Sequence, residues 1–262
     1  MKFAETDLLL PFEMPRVSED YREFLQAKRN HYLTTIGYFA KPWEAFQLLD
    51  RIWSREVGNA SHQILMKQYL PTQLLVLAHG RYRIVGDLAF SGCIADAWGA
   101  MRSAIELGAH AHRIYEKPEL SKIWLRKGDG EAERKAFKGE FLDRKKIKLF
   151  DGLETLHEYW EQYSEWGSHS TLTVLALRSK PDATSRQPKV EISYLEGAED
   201  RMATSLHILL DAAWLVENIL FTTYRDRFKL DAPLLSLRQE FTNLHSELEG
   251  VILNKYCRDR SA

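Results

Sequence analysis

Two stretches near the C-terminus repeat their apolar residues at alternating spacings of four and three. In the first these are Met202, Leu206, Leu209, Ala213, Val216 and Leu220, and in the second Leu234, Leu237, Phe241, Leu244, Leu248 and Val251. That period puts each set on one stripe of an α-helix, and such a stripe is buried against other helices. The link between them, Lys229-Leu230-Asp231-Ala232-Pro233, is short, so the two should form an antiparallel helical hairpin over 197–258. Packing inside one bundle and a homodimer seam both satisfy the pattern.

Punctuation residues divide the rest of the chain. Ser18 can cap a helix to about Asn30, Pro42 suits a first helical turn, and Gly58 a stop. Pro71 opens a segment reaching roughly Phe90. Gly92 separates it from a strong helix over 93–116, ended by Pro118. Asp151 and Glu154 make a capping-box-like start for a helix ending near Gly167. Two β-favouring runs, 171–177 and 190–195, flank a polar stretch with two prolines and predict a small hairpin near 171–195. The expectation is an all-α bundle of about 7–9 helices carrying that hairpin. It forms one domain over 1–262, with N-terminal helices over 18–70 and a central bundle over 71–170.

Composition narrows the function classes. With 45% hydrophobic and 28% charged residues the chain reads as an ordinary globular protein. A net charge of −1 gives no whole-surface pull toward nucleic acid or anionic membrane. Two cysteines, Cys93 and Cys257, cannot build a disulfide framework, and no signal-like start is seen, so a cytoplasmic location is expected. No run is expected to reach the ~18–20 apolar residues of a membrane span.

Chemistry is concentrated on the helix over 93–116, which is apolar on nearly every side. Yet it carries Arg102 and Glu106, four apart and on one face, with Trp98 a turn before and His110 a turn after. Charges inside a bundle need pairing and hydrogen bonds, and an arginine preceding its carboxylate is the weaker helical order. Either the two form a buried ion pair that fixes helix register, or they line a pocket. In the pocket, Arg102 would bind an anion and Glu106 would orient a base or take a proton. A second cluster is Tyr163, Ser164, Ser168, His169 and Ser170, where the helix should end. His169 there could titrate near neutrality, or could bond the orphan carbonyls of the helix end.

Arg-x-x-x-Glu in a long central helix, with Tyr163, Ser164 and His169 about sixty residues on, resembles a bacterial helical family known only as a domain of unknown function. The likeness runs over roughly Gln73–Thr171 and more loosely through the last helices. It implies a helical fold with a shared polar site and brings no reaction with it. More distantly the chain is similar to HEPN-type helical proteins, many of which are ribonucleases of toxin and phage-defence systems. If the pocket cleaves RNA, His169 would be the general base or acid, Arg102 would stabilise phosphate charge and Glu106 would orient the arginine or histidine, with Trp98, His110, Tyr163, Ser164 and Ser170 around them. RNA would lie on the basic segment 117–148, which holds 11 Lys/Arg against 6 Asp/Glu.

Other apparent motifs carry less. Arg-x(4–6)-His occurs at Arg55…His62, Arg201…His207 and Arg238…His245, but 20 Arg and nine His give about two such matches by chance. Glu154-x-x-His157 has di-iron spacing without the second pair such a site needs. No metal or cofactor is therefore expected. The rival to an RNA-cleaving protein is a non-catalytic helical module that binds a partner or an anion.

Overall fold

The computed structural model describes residues 17–61, 69–143, 154–168, 179–182, 189–192, 194–224 and 232–252. The architecture is all-α. Among the described residues there are nine α-helices: α1 Glu19–Tyr38, α2 Ala40–Ser61, α3 Tyr69–Phe90, α4 Ile94–Glu116, α5 Leu120–Leu125, α6 Glu131–Phe137, α7 Glu154–Ser168, α8 Glu199–Tyr224 and α9 Ala232–Ile252. A π-helical turn, Lys138–Leu142, prolongs α6. Strand β1, Ser179–Asp182, pairs antiparallel with β2, Lys189–Ile192, with Ser179 opposite Ile192 and Asp182 opposite Lys189. Residues 171–177, read as a strand from the sequence, lie outside the described residues.

Helix α1 runs well past Asn30 and breaks only at Phe39, whose N–H bonds the Thr35 carbonyl at 2.8 Å. Helix α2 begins at once, with Pro42 in the first turn, where its missing N–H costs nothing. It also passes through Gly58, so a lone glycine did not stop a helix held by Leu48, Leu49, Ile52 and Trp53, all fully buried. Between α3 and α4 the chain turns through Gly92 at φ +81. There Cys93 N–H bonds Leu88 O at 2.8 Å and Gly92 N–H bonds Ala89 O at 2.9 Å, the paired closure of a helix C-terminus.

Helix α4 is the centre of the bundle and packs on α3, α7 and α8. Gly108 lets α8 come close, since a Cβ there would stand 3.0 Å from Val216 Cγ1. All six apolar residues of the α8 seam are buried. That helix is also long and apolar enough to cross a membrane by length and composition, contrary to the sequence expectation, although over half of its apolar window is buried inside the bundle. Helix α9 rests chiefly on α2 and only lightly on α8. Its seam turns slightly at the end: Ile252 is buried where Val251 was expected, and Val251 is half exposed.

Candidate functional site

Helix α4 is not apolar all round. Ala95, Gly99, Arg102, Ser103, Glu106, Leu107 and Arg113 are partly open and follow the helical period, leaving one stripe uncovered by the core. Arg102 and Glu106 therefore keep 31% and 27% of their side-chain surfaces, and the buried pocket expected from the sequence is instead a half-open rim.

Trp160 of α7 organises the rim. Glu106 Oε1 accepts from Arg102 Nη2 at 2.9 Å and from Trp160 Nε1 at 3.0 Å. The Arg102 guanidinium carbon lies 5.3 Å from the centre of the Trp160 ring, within cation–π range. One carboxylate oxygen and one indole thus orient the arginine. Its Nε is buried and has no hydrogen-bond acceptor among the described residues.

One turn further on, the π-helical turn roofs the stripe. His110 is 8% exposed and packs edge-on to Phe137 and Phe141, with its Nε2 3.3 Å from the Phe141 carbonyl. Burial first, then the charges of Lys127 and Arg113, hold its pKa down at about 4. His110 is therefore neutral at physiological pH. Arg113 binds Glu140 through both the side chain, at 3.1 Å, and the main-chain carbonyl. Between α4, α7 and this roof lies a cavity of about 20 Å3, room for one water molecule, lined by Glu106, His110, Arg113, Phe141, His157 and Trp160. His157 is buried here, with Nδ1 3.9 Å from Glu161 Oε2.

The other expected site residues separate. Trp98 is in the core, its ring 5.0 Å from that of Trp166. Tyr163 is fully buried and donates its hydroxyl to the Ile208 carbonyl at 3.1 Å, so it ties α7 to α8. Burial pushes its hydroxyl well above the ordinary tyrosine range. Ser164 bonds the Trp160 carbonyl of its own helix at 2.6 Å. His169 and Ser170 lie outside the described residues, as do Arg144 to Lys148 of the basic segment. Within that segment Lys117, Lys122, Lys127, Arg134, Lys135 and Lys138 are exposed, and Lys127 sits 3.6 Å above the Trp124 ring.

Sequence reading missed Trp160, Arg113 and His157 as neighbours of Glu106. Trp160 and His157 are three apart on α7, so their shared face was visible, but nothing local said that it meets α4. It also missed the most deeply buried charged groups among the described residues. Arg238 of α9 binds Glu56 of α2 at 2.8 Å, Glu217 of α8, and Asn218 at 2.8 Å; both glutamates are fully buried. The arginine lies over Phe221 at 3.8 Å and Trp214 at 4.6 Å. Nearby, Asp211 accepts from the Tyr159 hydroxyl and lies 3.5 Å from His245 Nε2, and the rings of His245 and His207 are 5.1 Å apart. Two of the three Arg-x(4–6)-His matches thus bring their histidines together. Arg201 pairs with Glu196 at 2.8 Å, and Arg238 with its glutamates. Among the described residues no group of three or more His, Cys, Asp or Glu is placed to hold a metal ion.

Compared with protein-family models, curated proteins and solved structures, the chain has no match in any of the three.

Proposed function

We propose that this chain is a helical binding module whose α4–α7 face takes an anionic group, with RNA as the polyanion and the basic stretch beside the π-turn as its backbone contact. The observation that carries the reading is the arginine at the rim. Arg102 is oriented by Glu106 and Trp160 and keeps about a third of its surface open. A guanidinium oriented in advance loses little freedom on meeting a phosphate. The exposed lysines of α5, α6 and the π-turn add the unspecific attraction that a phosphate chain meets first.

Binding fits this geometry better than cleavage at the same spot. His110 is neutral and engaged by a carbonyl, and the adjacent cavity has room for one water and not for a phosphodiester. An RNA-cleaving, defence-type protein of a bacterial cytoplasm is the second reading. It is favoured by the basic stretch and depends on His169 as acid or base, with Arg102 steadying phosphate charge.

Fluorescence anisotropy with a structureless RNA tests the first reading. Binding should weaken as salt rises, and Arg102→Gln should reduce affinity roughly tenfold in a protein that keeps its helical spectrum. Salt-independent binding, or equal binding by wild type and variant, would overturn it. Incubating the same RNA with wild type and His169→Ala separates the second: cleavage by the wild type alone supports catalysis, and cleavage by neither removes it.

A further inference from the structure

Helices α1, α2 and α3 enclose a second site that the α4–α7 reading does not use. It is an open groove of about 310 Å3, a size in the small-ligand range. We infer that this groove binds a flat aromatic ring joined to a single anionic group, the chemistry shared by a nucleoside monophosphate and an aryl carboxylate.

The floor is aromatic and held rigidly. Trp43 and Phe46, both lining the groove, lie nearly parallel, 5° apart, with ring centres separated by 5.9 Å. Trp43 is fixed edge-on by Phe90 at 4.9 Å and by Tyr32 at 5.8 Å, and Phe46 stacks on Tyr82 at 4.3 Å. Gly86 is what lets Phe46 lie this low. A Cβ at that position would stand 2.1 Å from Phe46 Cζ, so any side chain would push the ring out of place. A planar apolar surface held by its neighbours offers stacking area to a ring at small entropic cost.

Among the described residues, the charges around this floor leave one cation over. Asp50 is taken by Arg83, at 2.7 and 3.1 Å, and by His79 at 2.7 Å. Asp87 is taken by Lys28 at 2.9 Å. Arg83 is braced further by Ser54 at 2.9 Å. Arg51, which also lines the groove, is exposed and has no ion-pair or hydrogen-bond partner among the described residues. Both carboxylates are thus neutralised from within the protein, and the unspent positive charge beside the aromatic floor is that of Arg51. A ring alone would leave this guanidinium unused, and an anion alone would leave the floor bare. The pair of features selects a ligand that carries both.

Titration calorimetry on the full chain tests this with AMP, benzoate, adenosine and inorganic phosphate as separate probes. AMP or benzoate should bind at least tenfold more tightly than adenosine and than phosphate. Whichever of the two binds identifies the source of the ring and anion. Arg51→Gln should weaken that binding about tenfold. Gln47→Glu, an exposed position one helical turn before Arg51 on the groove wall, should do the same, because the new carboxylate pairs with the Arg51 guanidinium and repels the ligand anion; both changes fall on exposed positions of α2 and should leave the helical spectrum unchanged. No binding of AMP or benzoate at millimolar concentration would overturn the inference. So would affinities that both variants leave within twofold, or adenosine or phosphate binding as tightly as the joined probes.

Discussion

Arg238 reaches Glu56, 182 residues earlier in the chain, at 2.8 Å, and the contact joins α9 to α2 through the least solvent-exposed carboxylate pair in the described structure. Glu217 completes the set from α8, so three helices meet at one guanidinium. This charge cluster, and not an apolar seam alone, fixes where the last helix sits.

Removing the arginine should therefore be severe. Arg238→Met leaves two glutamates buried without their cation, and the expected loss is about 3–5 kcal/mol. Urea unfolding at neutral pH measures it. A loss of less than about 1 kcal/mol would show that the cluster is not what anchors α9.

The same cluster should give stability an alkaline slope. Burial, and for Glu56 the adjoining Glu217 carboxylate, raise both carboxyl pKa values above the ordinary 4.5. The folded state then holds protons that the unfolded state has already released, so their contribution is complete below about pH 4.5 and declines as pH rises through the raised values. Glu217→Gln keeps shape and removes the proton, and unfolding midpoints between pH 5 and 9 should be flatter in that variant than in wild type.

At Asp50 the sign reverses. Burial would raise its pKa, but hydrogen bonds from His79 and Arg83 outweigh that and hold it at about 2. The stabilisation is present above about pH 4 and is lost as pH falls toward 2. Asp50→Asn should cost about 2 kcal/mol at pH 7 and little at pH 2, where the wild-type carboxyl is itself half protonated. Denaturation curves at the two pH values decide it.

His110 provides the acid-side counterpart. Its imidazole is held down to about 4, so between the ordinary 6.5 and that value the unfolded state binds the proton and the folded state does not. Stability should fall with acidification across this window, and His110→Phe should flatten the fall. Proton NMR of the His110 ring should show no titration between pH 8 and 5; a midpoint near 6.5 would contradict the burial under Phe141.

Gly92 should not accept a side chain. Its φ of +81 disfavours any L residue, and a Cβ would meet His31 Cε1 at 2.8 Å and the Glu196 carbonyl at 3.1 Å. Gly92→Ala should lower stability by about 1–3 kcal/mol, read as a drop in thermal midpoint.

Local pattern alone was enough to place α3, α4, α8 and α9, because helical periodicity, proline in a first turn and glycine at a helix end are properties of neighbouring residues. It likewise singled out Arg102 and Glu106 as partners, since four residues along one helix bring two side chains together whatever surrounds them. What surrounds them was decided by the fold. Whether α4's polar stripe is sealed or open depends on where α7 crosses and how far the π-turn reaches, and these are packing outcomes between segments tens of residues apart. The same holds for Trp160 beside Glu106, for Tyr163 turned into the core, and for Arg238 beside Glu56. Periodicity states which face of a helix is buried; only the whole bundle, by satisfying every buried charge and filling its volume at once, states against what.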